Sequence, residues 1–169
     1  IERLGGKPVM CAPGHSVIKS LMAESGAPLA GEMSGHVFFA DGYYGYDDAI
    51  YAAVRLLNIV AKSDQSLAEM ISAMPQMINT PEIRIDVLEE RKFAIVDEVL
   101  AQARSANLDI NDVDGLRVSG PDGWWLLRAS NTENALVVRR ESHDQEGLER
   151  LTATVGAYLS AANVTAPAF

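Results

Sequence analysis

The sequence predicts an α/β segment followed by a small α+β domain, whose mostly antiparallel sheet is backed by two helices. Three observations lead there. Residues 1–75 alternate helical and extended patterns. The stretch Pro75-Gln76-Met77-Ile78-Asn79-Thr80-Pro81 carries two prolines and is the best candidate linker. Beyond it the pattern becomes β-α-β-β-β-α, with turn clusters between the short extended runs. The expected division is 1–75, a linker at 76–81, and 82–169.

In the first segment, Lys7-Pro8-Val9-Met10 reads as the end of a strand. Val17, Ile18, Leu21 and Met22 share one face of a helix that Gly26 caps in the left-handed conformation. Residues 28–33 are short, small and apolar, as a buried strand would be, and Val37-Phe38-Phe39 is a second extended run. After the turn at Asp41-Gly42-Tyr43-Tyr44-Gly45, Asp47 or Asp48 caps a long helix bearing Ile50, Val54 and Leu57. Ser66 and Glu69 form a capping box for a short helix. In the second segment, Ile83, Ile85 and Val87 alternate as a strand, and Phe93, Val96, Val99, Leu100 and Ala103 mark a helix face. The turns Asp112-Val113-Asp114-Gly115 and Gly120-Pro121-Asp122-Gly123 bracket Leu116-Arg117-Val118. Trp124-Trp125-Leu126-Leu127 pairs naturally with Ala135-Leu136-Val137-Val138, and Leu148, Leu151, Val155 and Leu159 give the last helix.

Composition narrows the class. The chain has 169 residues, a net charge of −9, 48% hydrophobic and 22% charged residues, which is globular and excludes a disordered or fibrous chain. The acidic balance argues against nucleic acid as a partner. No apolar run approaches the roughly 18 residues that span a membrane. The single cysteine, Cys11, cannot form an internal disulfide, so a cytoplasmic protein is expected. The chain opens Ile1-Glu2-Arg3-Leu4, with neither Met nor a signal layout, and reads as a piece of a longer chain.

Two polar segments lie between apparent strands. Gly31-Glu32-Met33-Ser34-Gly35-His36 offers donors and acceptors of the kind that read sugar hydroxyls, although the same residues also suit a tight turn facing water. Arg128-Ala129-Ser130-Asn131-Thr132 offers an Arg fork, two hydroxyls and an amide. That is the inventory a phosphate monoester needs, and equally that of a Ser-Asn turn beside a solvated Arg. His15, after Pro13-Gly14 at a helix start, fits anion holding, capping or packing. Asp112-Val113-Asp114-Gly115 lacks a third carboxylate where Leu116 stands and reads as a turn, not a cation site. Ser142-His143-Asp144 is adjacent in sequence and reads as a helix cap rather than a catalytic triad.

The 31–36 segment resembles the sugar-recognition loop of the α-D-phosphohexomutases, and the 128–132 segment resembles their C-terminal phosphate-binding loop. The order of elements and the Gly14-His15-Ser16 helix start are also similar. The resemblance covers essentially the whole chain and is nearest the bacterial phosphomannomutase/phosphoglucomutase branch, since phosphoglucosamine mutases usually carry Gln in place of Met33. It implies that residues 1–75 are the latter part of domain 3, a three-layer α/β/α domain incomplete here, and that 82–169 are domain 4.

The resemblance also implies a reaction. A phosphoserine in domain 1 and a Mg²⁺ loop of three Asp in domain 2 interconvert hexose 1-phosphate and hexose 6-phosphate of mannose or glucose, with glucose 1,6-bisphosphate as intermediate and activator. Neither motif is in this sequence, so no catalytic or metal residue is expected here. The partners are the N-terminal domains and a phosphosugar, and the chain alone is expected to be inactive. By resemblance, Glu32 and Ser34 bind ring hydroxyls within a loop completed by Met33 and Gly35, His36 lies beside them, and His15 lines the same pocket. Arg128, Ala129, Ser130, Asn131 and Thr132 form the phosphate clamp. The alternative is a non-catalytic module that captures sugar phosphates. Two departures stand out: Glu133-Asn134-Ala135 follows Thr132 where the family usually has Pro, and Ala12-Pro13 precedes Gly14 where relatives often carry a basic residue.

Overall fold

The computed structural model describes residues 1–165, in two units that divide between Pro75 and Gln76. In the first, a 3₁₀ turn (Glu2–Leu4) precedes helix α1 (His15–Ser25), which Gly26 ends at φ 69°. Strands β1 (Leu29–Gly31), β2 (Val37–Phe39) and β3 (Tyr46–Asp47) form an antiparallel sheet in that order. Asp48 begins helix α2 (Ala49–Ala61) by accepting the Tyr51 N–H at 2.9 Å, and the Ser66–Glu69 capping box begins α3 (Leu67–Ser72). The core is small: Ile18, Met22 and Phe38 are its buried members, with Cys11, Ala27 and Ala30 packed against them.

Two expectations fail in this unit, and a third element forms without burial. Residues 7–10 form no strand. The 29–31 strand is not buried, because it is an edge strand with β2 as its one sheet neighbour. The stripe Ile50, Val54 and Leu57 forms the expected helix, yet α2 buries none of its residues.

The second unit is better packed. Strands β4 (Ile78–Asn79), β5 (Ile83–Asp86), β6 (Asp109–Asn111), β7 (Leu116–Gly120), β8 (Gly123–Ala129) and β9 (Ala135–Ser142) form one antiparallel sheet, ordered β4-β9-β8-β7-β6 with β5 also on β9. Helices α4 (Lys92–Ser105) and α5 (Gln145–Ala161) cover one face. The period-2 alternation of β8 sends Trp125, Leu127 and Ala129 beneath those helices and leaves Trp124, Leu126 and Arg128 half-buried on the other side. Val99, Leu116, Leu136, Val138, Val155 and Leu159 complete the core. Truncating Leu127 or Leu136 to Ala costs about 2–5 kcal/mol, the usual range for a filled site.

Two short strands, β4 and β6, extend the expected β-α-β-β-β-α order. The 76–81 stretch is therefore not a free linker: Ile78 and Asn79 pair with Ser142 and Glu141, and the Thr80 N–H donates to the Arg140 carbonyl at 3.0 Å. An edge strand there satisfies backbone groups of β9 that would otherwise face water. Phe93 lies on the exposed side of α4, whose buried side is Lys92, Ile95, Val96, Val99 and Ala103. The last four residues of the expected 82–169 domain lie outside the described residues.

The β7–β8 turn shows why particular residues recur in such positions. Gly123 has φ 128°, and a Cβ there would meet the Glu141 carbonyl oxygen at 2.0 Å, so glycine is required. Asp122 receives the Arg150 guanidinium through Nε at 3.0 Å and Nη2 at 2.6 Å, tying the turn to α5. Asp144 accepts the Gly147 N–H at 2.7 Å, so the Ser142-His143-Asp144 segment does cap α5. Among the described residues, no helix is long and apolar enough to cross a membrane.

The Arg150 pair holds the Asp122 carboxyl below the usual carboxylate range. A depressed folded-state value means that the stabilisation is present above the unfolded value, about 3.9, and is lost as pH falls through the folded one. Asp122→Asn should lower the urea midpoint at neutral pH by a small, salt-screened amount, because the pair is largely exposed. The difference from the parent should shrink as the pH falls through the range below about 4. Urea unfolding at both pH values checks this.

Candidate functional site

In the first unit, the 31–36 loop connects β1 to β2 and is closed by its own backbone: the Gly35 N–H donates to the Glu32 carbonyl at 3.0 Å and the Glu32 N–H to that of His36 at 2.9 Å. Gly35 sits at φ 94°, which only glycine adopts without strain. The Glu32 carboxylate fastens the loop to the start of α1, accepting the Gly14 N–H on Oε1 at 3.2 Å and the Ser34 hydroxyl on Oε2 at 3.1 Å. Each oxygen keeps a further lone pair for a ligand hydroxyl.

His36 and Asp47 form a dyad, with Nδ1 and Oδ2 separated by 2.7 Å. The bond to His36 and the Val37 N–H hold the Asp47 carboxyl below its ordinary range. An ionised carboxylate has no hydrogen to give, so Nδ1–H donates, and the ring is oriented with Nε2 turned away from Asp47. His15 packs edge-on against His36, with ring centroids 4.6 Å apart, and against the fully buried Phe38 at 5.2 Å. Met33, by contrast, points into solvent at 80% exposure.

In the second unit, the 130–134 loop joins β8 to β9. Ser130 is buried, and its Oγ accepts N–H groups from Thr132 at 3.4 Å and Glu133 at 3.1 Å, leaving its hydroxyl hydrogen to donate. Ala129 turns its methyl into the core, so its side chain is not available to a ligand. Arg128 lies on the sheet face opposite the helices, and among the described residues its guanidinium has no carboxylate or hydrogen-bond partner. Asn131 and Thr132 are exposed beside it.

Register gathers more positive charge on that face. Directly paired residues share a side of the sheet, so Arg84 and Arg128 flank Val137, and Arg117 and Arg139 flank Leu126. Arg117 also stacks over Trp124, with its guanidinium carbon 4.6 Å from the ring centroid. Four arginines thus meet on one face of a unit whose overall charge is negative. Sequence reading missed this, because the grouping appears only once strands distant in the chain are paired.

It also missed three supporting residues. Asp47 was read only as a possible helix cap. Arg84 pairs with Glu133 and with Glu82, offsetting the negative charge that Glu133 brings beside the loop. Lys92 is 3% exposed, and its ammonium donates to the Glu133 carbonyl at 3.2 Å while pairing with Glu89 at 2.8 Å. The Val87 N–H adds a bond to the Asn134 carbonyl at 3.0 Å. A loop without the usual Pro is braced instead by two cations and a backbone bond.

Mg²⁺ prefers oxygen ligands, whereas among the described residues the one grouping of three potential ligands, His15, His36 and Asp47, offers two ring nitrogens. Asp112, in the Asp-rich turn, is paired with Arg104.

Comparison with known proteins now gives the class. Two family profiles match consecutive parts of the chain: "Phosphoglucomutase/phosphomannomutase, alpha/beta/alpha domain III" at residues 1–78 and "Phosphoglucomutase/phosphomannomutase, C-terminal domain" at residues 82–156. The chain belongs to the phosphoglucomutase/phosphomannomutase family. It is 46% identical over 167 residues to phosphomannomutase/phosphoglucomutase of Pseudomonas aeruginosa, spanning 99% of this chain and 36% of that protein. It is 44% identical over 153 residues to phosphoglucomutase of Neisseria meningitidis serogroup A, spanning 89% and 33%. A crystal structure of a phosphoglucomutase/phosphomannomutase family protein from Burkholderia thailandensis superposes with a TM-score of 0.85 at 39% identity, covering 96% of this chain and 34% of that one. The chain therefore spans about a third of the length of the relatives it matches.

The brace predicts a measurable consequence. Lys92→Met keeps the apolar stem but removes the ammonium from the Glu133 carbonyl. Amide hydrogen exchange at Thr132, Glu133 and Asn134 should quicken several-fold, while that of Val99 and Leu127 stays as in the parent.

Proposed function

We propose that this chain is the C-terminal part of a phosphohexomutase that interconverts hexose 1-phosphate and hexose 6-phosphate, of mannose, glucose or both. In this reading the 31–36 loop binds sugar hydroxyls and the 128–132 loop binds the phosphate that is not being transferred. The observation that carries it is Arg128: an arginine without a partner among the described residues, at the mouth of a braced loop with exposed amide and hydroxyl groups, in a chain of net charge −9. Family membership and the names of the relatives support the same reading.

Each residue has a role that follows from its placement. Glu32 and Ser34 accept and donate hydrogen bonds to ring hydroxyls, with Glu32 already anchored by Gly14. The Nε2 of His36, oriented by Asp47, faces a hydroxyl as donor or acceptor, and His15 walls the same pocket. Arg128 meets two phosphate oxygens with its planar fork. Ser130, Asn131 and Thr132 supply neutral donors. Phosphoryl transfer relies mostly on positioning and charge neutralisation, so groups that only bind still contribute to the rate. The phosphoserine and the Mg²⁺ ligands belong to the preceding domains of the whole protein. The chain by itself has no turnover in this reading.

Glu32→Gln in the whole protein should lower kcat/KM by roughly tenfold or more in both directions, since bonds to a charged acceptor contribute about 1.5–3 kcal/mol against about 1 for neutral ones. Coupled assay with glucose 1-phosphate checks this, and unchanged efficiency would mean that the loop is only a turn.

Arg128→Lys should weaken glucose 1-phosphate binding although charge is kept, because an ammonium acts as a point charge where the guanidinium makes two parallel bonds. KM rises, and kcat falls as well if the sugar is left misaligned. Should calorimetry show parental affinity in Arg128→Lys and in Ser130→Ala, the phosphate site lies elsewhere.

A further inference from the structure

His15 opens α1, His36 precedes β2 and Asp47 ends β3, and one potential ligand atom from each lies within 4.8 Å of the other two. We propose that these three side chains form a binding site for a divalent transition-metal ion of the zinc class. Two imidazoles and one carboxylate are the donor set of Zn²⁺, Co²⁺ or Ni²⁺, and a poor one for Mg²⁺ or Ca²⁺. Three protein ligands leave a coordination position open to water, as in zinc sites that are not purely structural.

The geometry is partly assembled. His36 Nδ1 and Asp47 Oδ2 are 2.7 Å apart in their hydrogen bond, and a separation of about 3.4 Å, reached by a small side-chain rotation, would let both bind one tetrahedral ion at about 2.0–2.2 Å. For His36 to bind the ion through Nδ1, its ring proton moves to Nε2 by exchange with water, so the imidazole stays neutral, and the carboxylate keeps its charge. Asp47 is steadied by the Val37 N–H on Oδ1 at 3.2 Å and by its register opposite the buried Phe38. His15, exposed at the helix start, supplies the third ligand by rotation about its side-chain bonds. Asp47 thus serves the dyad without metal and the ion with it.

One consequence rests on the functional reading above. If the pocket takes sugar, a bound ion and the sugar compete for His15 and His36, and the ion inhibits the whole protein. The metal site itself does not depend on that reading.

The test is direct titration of the purified, chelator-treated chain with Zn²⁺ by calorimetry, and with Co²⁺ by its visible absorption. One ion per chain is expected. His15→Ala and His36→Ala should each weaken binding at least about tenfold, the lower end of what even outer-shell losses cost at metal sites. Asp47→Asn should also weaken it. Far-UV circular dichroism confirms that each variant is folded, and His36→Gln replaces His36→Ala if that variant is not. His143→Ala and Cys11→Ser remove the third histidine and the lone thiol, and should leave binding unchanged. Loss of binding in either control, parental affinity in both His15→Ala and His36→Ala, or absence of Zn²⁺ binding by the parent overturns the proposal. Inhibition of the whole protein by Zn²⁺ that sugar phosphate relieves supports the competition. Zn²⁺ binding without such inhibition would reject the shared pocket and keep the metal site.

Discussion

The ladder between β8 and β9 is the constraint on which the second unit depends. It pairs residues from Gly123↔Ser142 to Ala129↔Leu136, and on its other side β9 carries both β4 and β5. A one-residue slip would turn every side chain to the opposite face, exposing Trp125 and Leu127 and burying Arg128. The core beneath α4 and α5 and the arginines on the open face are therefore one decision. The loop that holds Ser130, Asn131 and Thr132 is the connection between these two strands. Its position follows from the register, and its shape from Ser130, Lys92 and Arg84.

The first unit is held differently. Its buried apolar cluster is only Ile18, Met22 and Phe38, so polar contacts do more of the positioning. Glu32 spans from its loop to the Gly14 N–H, and His36 is locked to Asp47. Asp48 serves both the Tyr51 N–H and the Tyr43 hydroxyl, which keeps its carboxyl below the usual range and pushes the Tyr43 phenol up. These contacts are short in reach and directional, suited to holding a small polar pocket. In this chain α2 leaves its Ile50, Val54 and Leu57 stripe exposed, while its Tyr51 packs edge-on against Phe39 at 5.5 Å between ring centroids.

Much of the fold was legible because it rests on local signals. The Ser66–Glu69 capping box, the glycine ending α1 and the pairing of the Trp124-Trp125-Leu126-Leu127 strand with the Ala135-Leu136-Val137-Val138 strand all reappear where the pattern placed them. Misses fell where local pattern competes with context. The 7–10 run has strand-like residues but pairs with no strand among the described residues, and β4 was hidden in a proline-flanked stretch that reads as a linker until β9 is placed beside it. The polar loops were legible as loops, since turn formers between apolar runs have few other uses. The burial of the Ala129 methyl follows from its register opposite Leu136, which strand pairing alone sets.

By itself the sequence determined the helices, the longer strands and the two polar loops, because caps, turns and hydrophobic periodicity act over a few residues. It also carried the family resemblance, since both loops keep their residue types in order. Only the tertiary structure decided which side chains meet. Asp47 reaches His36 because β2 and β3 pair antiparallel. Lys92 reaches the Glu133 carbonyl across 41 residues, and Arg84 stands in one row with Arg128 because β5 and β8 both pair with β9. Such contacts depend on strand register and helix placement, which are set by the packing of the whole unit rather than by any short segment of the chain.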